Sequence, residues 1–158
     1  MKLARHIVLV SLSLVLAVTL LACSKSNDYV ILSPKELKPT VLTLCSREKI
    51  LYQSAWQPSK EDILRLEKNL ISLSDLESDV CCNQGKIVGS PFDYYRQYIG
   101  LVIDSQKYIY INASSKEHSK LHKDFGWACD GGKLFWGVFY NPAENKFSHL
   151  EFNGYFIK

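Results

Sequence analysis

Residues 94–113 read YYRQYIGLVIDSQKYIYINA. Aromatic and β-branched residues dominate Tyr94–Ile103 and Lys107–Ala113, and the polar tripeptide Asp104–Gln106 separates these segments. Such residues favour strands, and a short polar break between two strands indicates a turn. This stretch therefore predicts a β-hairpin, whose two strands must be antiparallel.

The segment that follows has the same organisation. Lys133–Tyr140 and Lys146–Phe152 are rich in aromatic residues, and Asn141–Asn145 between them contains the turn formers Asn and Pro. Upstream, Thr40–Cys45 and Lys49–Ser54 are weaker strand candidates. The chain thus carries two consecutive hairpin signals towards its C-terminus.

The clearest helix signal covers residues 58–73. Ser59 is a suitable N-cap, and Asp62 falls at the third helical position. Apolar residues recur there at helical spacing, namely Ile63, Leu66, Leu70 and Leu73. One amphipathic helix before two hairpins predicts an α+β fold, with the helix packed on one face of an antiparallel sheet. By analogy of fold alone, a curved cystatin-like or NTF2-like sheet would satisfy this pattern.

The first residues of the chain indicate export. Lys2 and Arg5 precede Ile7–Leu21, an uncharged run rich in Leu and Val. A run of about 15 residues suits the core of a signal peptide and is shorter than the roughly 20 residues that a permanent membrane helix needs. We therefore expect a leader rather than a lasting transmembrane span.

Leu20–Cys23 resemble the lipobox of bacterial lipoproteins, in which a small residue precedes the acylated cysteine. The resemblance covers only the leader. It implies that residues 1–22 are a signal peptide and that Cys23 becomes the N-terminus, with a diacylglyceryl thioether and an amide-linked acyl chain. Residues 23–28 would be the lipidated cysteine and a polar tether, and residues 29–158 a single globular domain. An ordinary secretory signal or a short membrane anchor is the alternative.

This interpretation places the protein at the cell envelope, with membrane lipid as a partner through the acylated Cys23. Ser24 resembles the residue that follows the cysteine in lipoproteins released to the outer membrane, so in a Gram-negative host the domain would face the periplasm. The chain has 19 basic and 16 acidic residues, and Lys2 and Arg5 leave with the leader. A near-neutral exported domain argues against binding to nucleic acid.

Four cysteines remain once Cys23 is assigned to the lipid: Cys45, Cys81, Cys82 and Cys129. An even set outside the cytosol permits disulfides. A bridge between Cys81 and Cys82 would strain a small ring, so we expect two bridges that each join one member of that pair to Cys45 or Cys129. Reduced cysteines and a metal or redox site are the alternatives, although adjacent cysteines lack the spacing of common zinc and redox motifs.

No motif in the sequence indicates catalysis or a bound cofactor. The chain lacks a nucleophile elbow, a phosphate loop and a dinucleotide fingerprint. His118 and His122 would share one face of a short helix, but lysines surround them and no third ligand is evident, which favours a solvated surface over a metal site. Asp130 precedes two glycines and is interpreted as a turn residue. We expect no catalytic residue, no metal and no cofactor, while groups that converge from distant positions leave an enzyme open.

Several short motifs are similar to those of small exported bacterial proteins. This resemblance implies a coherent domain and carries no activity with it. The motifs are RQY at 96–98, YIN at 110–112, CDGG at 129–132, FWGV at 135–138 and FNG at 152–154.

Strand alternation suggests a binding surface on the first hairpin. If one face of the sheet is exposed, Arg96, Tyr98 and Tyr110 would suit an envelope protein or a glycan, because such side chains bury area yet retain hydrogen-bonding groups. The alternative is an ordinary sheet face that lies partly under the helix. The predicted function is a membrane-anchored interaction or structural module, and the alternative is a small envelope hydrolase or ligand-binding protein.

Overall fold

The computed structural model describes residues 28–37, 41–42, 44, 46–78, 84–116 and 130–154. All five cysteines, together with His118 and His122, lie outside the described residues. In the part of the chain that is described, no helix is long and apolar enough to cross a membrane.

The described residues form an α+β fold with one α-helix and a mixed, mostly antiparallel sheet, so the predicted fold class is confirmed. The strands are β1 (Tyr29–Ile31), β2 (Val41–Leu42), β3 (Ile50–Leu51), β4 (Ser54–Trp56), β5 (Tyr94–Ile103), β6 (Gln106–Ser115), β7 (Phe135–Asn141) and β8 (Lys146–Phe152). The helix α1 spans Lys60–Asn69, and short 3₁₀ segments cover Pro34–Glu36, Leu70–Asp75, Pro91–Asp93 and Gly132–Leu134.

The main sheet has six strands, in the order β1-β5-β6-β7-β8, with β4 also paired to β5. The strands β1 and β4 share one edge of β5, where β1 lies beside residues 96–98 and β4 beside residues 100–102. The prediction of a purely antiparallel sheet is wrong at this edge, because β1 runs parallel to β5. A parallel neighbour needs a long crossover, and the segment between β1 and β5 supplies it.

The helix begins at a capping box that the sequence predicts. The Asp62 amide donates to Ser59 Oγ at 3.1 Å, and the Ser59 amide donates to the Asp62 carboxylate at 3.1 Å. The apolar stripe of α1 and of the 3₁₀ turn that follows packs against one side of the main sheet, which we name the helix face. Sheet residues buried on this face include Tyr98, Ile111, Trp136, Val138 and Leu150.

The opposite side of the sheet is also covered. We name this side the strap face. It is covered by the described residues from 41 to 52, which contain β2 and β3 and which we name the strap. Its apolar side chains Leu42, Leu44, Ile50 and Tyr52 cluster with the sheet residues Ile99, Leu101 and Tyr110. Because both faces are covered, every residue of β5 from 96 to 101 is buried.

The turn between β5 and β6 sets which side chains share a face. It has two residues, Asp104 and Ser105, whose φ values of 49° and 63° are typical of a type I′ turn. Tyr98 therefore lies opposite Ile111, whereas Tyr110 lies opposite Ile99. The sequence-based prediction included Gln106 in the turn, which would place Tyr98 and Tyr110 on the same face. A shift of one residue in strand register moves each side chain to the opposite face.

A β-bulge interrupts the second hairpin. Gly137 pairs with Glu151 but Phe139 pairs with Ser148, so β8 has one residue more than β7 over this interval. His149 adopts a left-handed φ of 55° at the bulge. The bulge places Ser148, His149 and Glu151 on the strap face, while the apolar residues on either side of them stay on the helix face.

Candidate functional site

Arg96 lies between β5 and the helix layer, where it is 3% exposed. Its Nε donates to Tyr98 Oη at 2.9 Å, and its Nη1 donates to the carbonyl oxygens of Tyr94 at 2.8 Å and Pro91 at 3.2 Å. Its Nη2 lies 3.4 Å from a carboxylate oxygen of Glu67 on α1. Arg96 thus joins β5 to the helix through charge-assisted hydrogen bonds.

Tyr98 completes this contact with the helix. It is fully buried, and its hydroxyl donates to the Glu67 carboxylate. Burial raises the pKa of Tyr98 well above its usual value, and the Arg96 guanidinium only partly opposes that shift. The phenol therefore remains protonated and serves as a donor, which suits a structural role within the protein.

The expectation that Arg96, Tyr98 and Tyr110 form one exposed patch is wrong. They are 3%, 0% and 2% exposed, and Tyr110 lies on the opposite face from the other two. The two-residue turn explains the opposite faces, and the strap explains the burial of Tyr110. All three side chains make internal contacts that hold the covering layers on the sheet.

A second buried arginine, Arg47, lies on the strap face and is 8% exposed. Its Nε donates to Asn153 Oδ1 at 2.8 Å. Its Nη1 donates to Tyr110 Oη at 2.8 Å, and its Nη2 donates to Asn112 Oδ1 at 2.7 Å. Asn112 Nδ2 extends the network to Gln97 Oε1 at 2.8 Å. Among the described residues, no carboxylate lies within ion-pair distance of Arg47.

Gly137 allows the Arg47 guanidinium to approach β7. A Cβ atom at this position would overlap both Tyr110 Oη and Arg47 Nη1. Arg47 could not be predicted from the sequence as a buried residue, because a single arginine in an irregular segment has no periodic signal. The available clue was Gly137 itself, since a glycine inside an aromatic strand marks a close approach to the backbone.

A concave pocket of about 350 Å³ opens on the strap face, between the strap and the strands β6 to β8. We name it the strap pocket. The strap contributes Glu48–Leu51, and the hairpin turn contributes Ile103 and Asp104. Strands β6 to β8 contribute Tyr108, Tyr110, Phe139, Ser148, His149 and Glu151. This volume lies at the lower end of the roughly 300–1,000 Å³ found for small-molecule sites.

Aromatic rings form one wall of the strap pocket. The ring of Phe139 lies 5.0 Å from that of Tyr110, 5.9 Å from that of Tyr108 and 6.2 Å from that of His149, between centroids. Phe139 and Tyr108 are half-buried, and His149 is exposed. The cluster therefore offers apolar ring surface next to polar ring atoms.

Glu151 is a carboxylate of the strap pocket whose pKa is raised. Burial raises its pKa, and the nearby Glu48 charge adds to the effect, while the Glu48 amide and the Arg47 guanidinium lower it. The Glu48 amide donates to Glu151 Oε2 at 3.2 Å. No other described residue donates to this carboxylate, so Oε1 can accept a hydrogen bond from a ligand.

The strap pocket was not predicted from the sequence either, although the sequence contains one signal for it. Apolar residues in β8 occur at Phe147, Leu150 and Phe152, and the first interval of three breaks the two-residue period of a strand. Such a break indicates a bulge, and bulges commonly redirect side chains beside functional sites. The β8 residues between these positions, Ser148, His149 and Glu151, are the ones that β8 contributes to the pocket.

The predicted disulfide cysteines lie outside the described residues, but residues that follow two of them have a common neighbour. Ser46 Oγ accepts a hydrogen bond from the Gly154 amide at 2.8 Å. The carbonyl oxygen of Asp130 accepts a hydrogen bond from Asn153 Nδ2 at 3.5 Å. Residues 46 and 130 therefore both contact the dipeptide 153–154.

No group of three or more metal-ligating side chains occurs in the described ranges. In comparisons with known proteins, no family model, no curated protein and no solved structure matches this chain. The remaining indications of function are the leader motif and the chemistry of the strap face.

Proposed function

We propose that the chain is a membrane-anchored envelope lipoprotein whose domain is an interaction or structural module. The support is the Leu20–Cys23 motif after a short apolar leader. Acyl chains on Cys23 would hold the protein in the membrane, since each buried CH₂ contributes about 0.8 kcal/mol and several chains together give durable attachment. In a Gram-negative host, the location would be the outer membrane, facing the periplasm.

The position of Asp28 limits the length of the proposed tether. Its carbonyl oxygen accepts a hydrogen bond from the Arg96 amide at 2.9 Å, and its carboxylate lies 2.8 Å from Lys116 Nζ. The fold thus begins by residue 28, so only residues 24–27 would separate it from a lipidated Cys23. A linker of that length reaches less than ~15 Å. The sheet end that carries Asp28 would lie next to the membrane.

A cystatin-like or NTF2-like shape is our proposal for the sheet within the α+β class. The helix on one face and the consecutive pairing of β5 with β6 and of β7 with β8 support it. The parallel strand β1 is an addition to that arrangement.

Ligand binding is the second candidate function, and the strap pocket is the observation that favours it. Ser148 and His149 both line the pocket, which is the pairing that a hydrolase would need. Among the described residues, no hydrogen bond activates the Ser148 hydroxyl. We therefore favour binding over hydrolysis at this site.

Two disulfides remain part of the proposal, each joining Cys45 or Cys129 to one of Cys81 and Cys82. Breaking an important bridge should lower the free energy of unfolding by about 2–5 kcal/mol. Non-reducing peptide mapping of envelope material tests the pairing. Four free thiols would eliminate both bridges, and a peptide joining Cys45 to Cys129 would replace the proposed pairing with another.

Intact-mass measurement and membrane fractionation test the anchor. Wild type should carry the mass of the acyl chains and sediment with membranes, whereas Cys23→Ala should have no lipid mass and lose retention. Ser26→Ala, in the same proposed tether, is a matched control and should keep both properties. Wild type without lipid mass, or equal retention of the Cys23→Ala variant, would reject the lipoprotein proposal.

A further inference from the structure

We propose that the strap pocket binds a saccharide unit and that its end at the β5–β6 hairpin turn points away from the membrane. The choice of ligand follows from the lining residues. The orientation rests on the proposed anchoring through Cys23. The ligand and the orientation therefore have separate tests.

The aromatic wall suits the apolar side of a sugar ring. Phe139 and Tyr108 are half-buried and pack edge to face, with 5.9 Å between their centroids and an interplanar angle of 74°. Half-buried rings can cover the C–H groups of a ligand while a polar tip remains hydrated. A wholly apolar ligand fits poorly, because charged and hydroxyl-bearing residues complete the lining.

The polar wall suits the hydroxyl groups of a sugar. Glu151 presents Oε1 as an acceptor, and Ser148 has a hydroxyl that makes no hydrogen bond to a described residue. Lys49 adds a donor from the strap, and His149 can donate or accept. A hydroxyl both donates and accepts, so a polyhydroxyl ligand can satisfy all of these groups together.

The charges of the lining disfavour strongly ionic ligands. Three carboxylates, of Glu48, Asp104 and Glu151, would repel an anion. Lys49 and His149 line the same pocket and would leave their donors facing a cation. A neutral ligand with many hydroxyl groups has neither conflict. The volume of about 350 Å³ limits the enclosed part to a small unit, so longer chains would extend out of the pocket.

The position of Asp28 gives the orientation. Asp28 binds to Arg96 near the start of β5, whereas the pocket residues Ile103 and Asp104 lie at the other end of that strand. At about 3.3 Å per residue, Asp104 lies roughly 26 Å along the strand from Arg96. Glu151 and Ser148 lie nearer to the level of Arg96, since they are in register with Gln97 and Ile99 across β6 and β7. With a lipid anchor joined to Asp28 through residues 24–27, the hairpin-turn end of the pocket would therefore point away from the membrane, and the Glu151 end would lie closer to it.

Calorimetric titration of the full-length chain in detergent tests the ligand, with chitotriose and maltotriose as probes and spermidine as a cationic probe. At least one saccharide should bind. Glu151→Gln should weaken that binding about tenfold, because a charge-assisted hydrogen bond is lost. Ser148→Ala should weaken it about threefold, in line with a neutral hydrogen bond. The matched control is Glu144→Gln, at an exposed carboxylate in the β7–β8 loop, and it should bind as wild type does.

Thermal unfolding of each variant separates loss of binding from loss of folding. Failure of both saccharides to bind overturns the proposal, and binding of spermidine alone replaces the saccharide with a cation. Equal binding by wild type, Glu151→Gln and Ser148→Ala would place the saccharide elsewhere and also overturns the assignment.

Reconstitution into vesicles of phosphatidylethanolamine and phosphatidylglycerol tests the orientation. The protein on vesicles should bind the saccharide as tightly as the protein in detergent. Loss of binding only on vesicles would overturn the orientation and leave the ligand assignment intact. A chain that binds the saccharide but does not associate with vesicles would refute the anchoring proposal instead.

Discussion

The two faces of the sheet each bury an arginine, but the arginines have different partners. On the helix face, Arg96 contacts the Glu67 carboxylate at 3.4 Å and also bonds to a phenol and two carbonyl oxygens. On the strap face, Arg47 donates only to the neutral side-chain oxygens of Asn153, Tyr110 and Asn112 within the described part of the chain. The helix face thus gives its arginine a charged partner, whereas the strap face leaves the strap pocket open beside its arginine.

The strap face buries a cation next to the strap pocket, and hydrogen bonds make this possible. A buried cation without a carboxylate partner is costly unless hydrogen bonds compensate it, and the bonds of Arg47 to three fixed oxygens supply that compensation. The charge still acts over a longer distance, where it lowers the pKa of Glu151 against the raising effect of burial. We infer that the strap face has less apolar packing than the helix face and instead presents a polar surface on which a ligand can bind.

The largest effect should come from the packed layers themselves. Leu66→Ala on the helix face should lower the free energy of unfolding by about 3–4 kcal/mol, because a fully buried leucine is lost from a rigid core. The matched variant Leu44→Ala on the strap face should cost about 2 kcal/mol, since a thin strap can relax into the space. Urea unfolding of both variants measures the difference. Equal costs would show that the two layers are equally rigid.

A smaller effect is expected from the hydrogen bonds that Arg47 makes on the strap face. Arg47→Met should lower the free energy of unfolding by about 2 kcal/mol, because it removes the three hydrogen bonds that the guanidinium donates to buried side-chain oxygens. Hydrogen exchange should increase selectively in the strap amides. Arg47→Lys should recover only part of the loss, since an ammonium cannot reproduce the planar geometry of the guanidinium. Full recovery by Arg47→Lys would contradict the geometric role.

The N-cap of α1 contributes a local, smaller part of the stability of the helix layer. Ser59→Ala should destabilise the protein by about 1 kcal/mol, because the Asp62 amide loses its cap. Ser72→Ala changes an exposed serine in the same layer and serves as the control, with an expected loss below about 0.5 kcal/mol. Circular dichroism during thermal unfolding compares the two. Equal losses would argue against the capping box.

The smallest effect concerns pH and the strap face. The pKa of Glu151 is raised in the folded state above the reference value of 4.5, mainly by burial. The folded protein thus binds this proton more tightly, so its stabilising contribution is present at low pH and is lost as the pH rises through the raised pKa. Glu151→Gln should therefore be slightly more stable than wild type at neutral pH, with the gap closing near about pH 4. Urea unfolding at the two pH values checks this, and a gap that widens in acid would reverse the assignment.

Much of the secondary structure could be predicted because its signals are local. The capping pair Ser59 and Asp62, with apolar residues at helical spacing, identified α1. Aromatic and β-branched runs identified β5 to β8. These signals act between residues that are a few positions apart, so a single chain displays them without knowledge of its partners. The short, irregular strands β1 to β4 have weaker signals.

The register of the first hairpin could not be predicted with the same success. Asp104 and Ser105 adopt left-handed φ values although neither is glycine, so the sequence lacks the Asn-Gly or Asp-Gly pair that usually marks a two-residue turn. Counting one extra turn residue placed Tyr98 and Tyr110 on the same face. Covering layers on both sides of the sheet then hold these tyrosines in the interior.

Local pattern was sufficient to predict the helix and the main strands, but the candidate site depends on contacts between distant residues. Arg47 meets Tyr110, Asn112 and Asn153 across sequence separations of 63, 65 and 106 residues. The strap pocket exists only where the strap, the hairpin turn and the bulge of β8 come together. Burial and hydrogen-bond partners are properties of that packing, and no short window of the chain contains them.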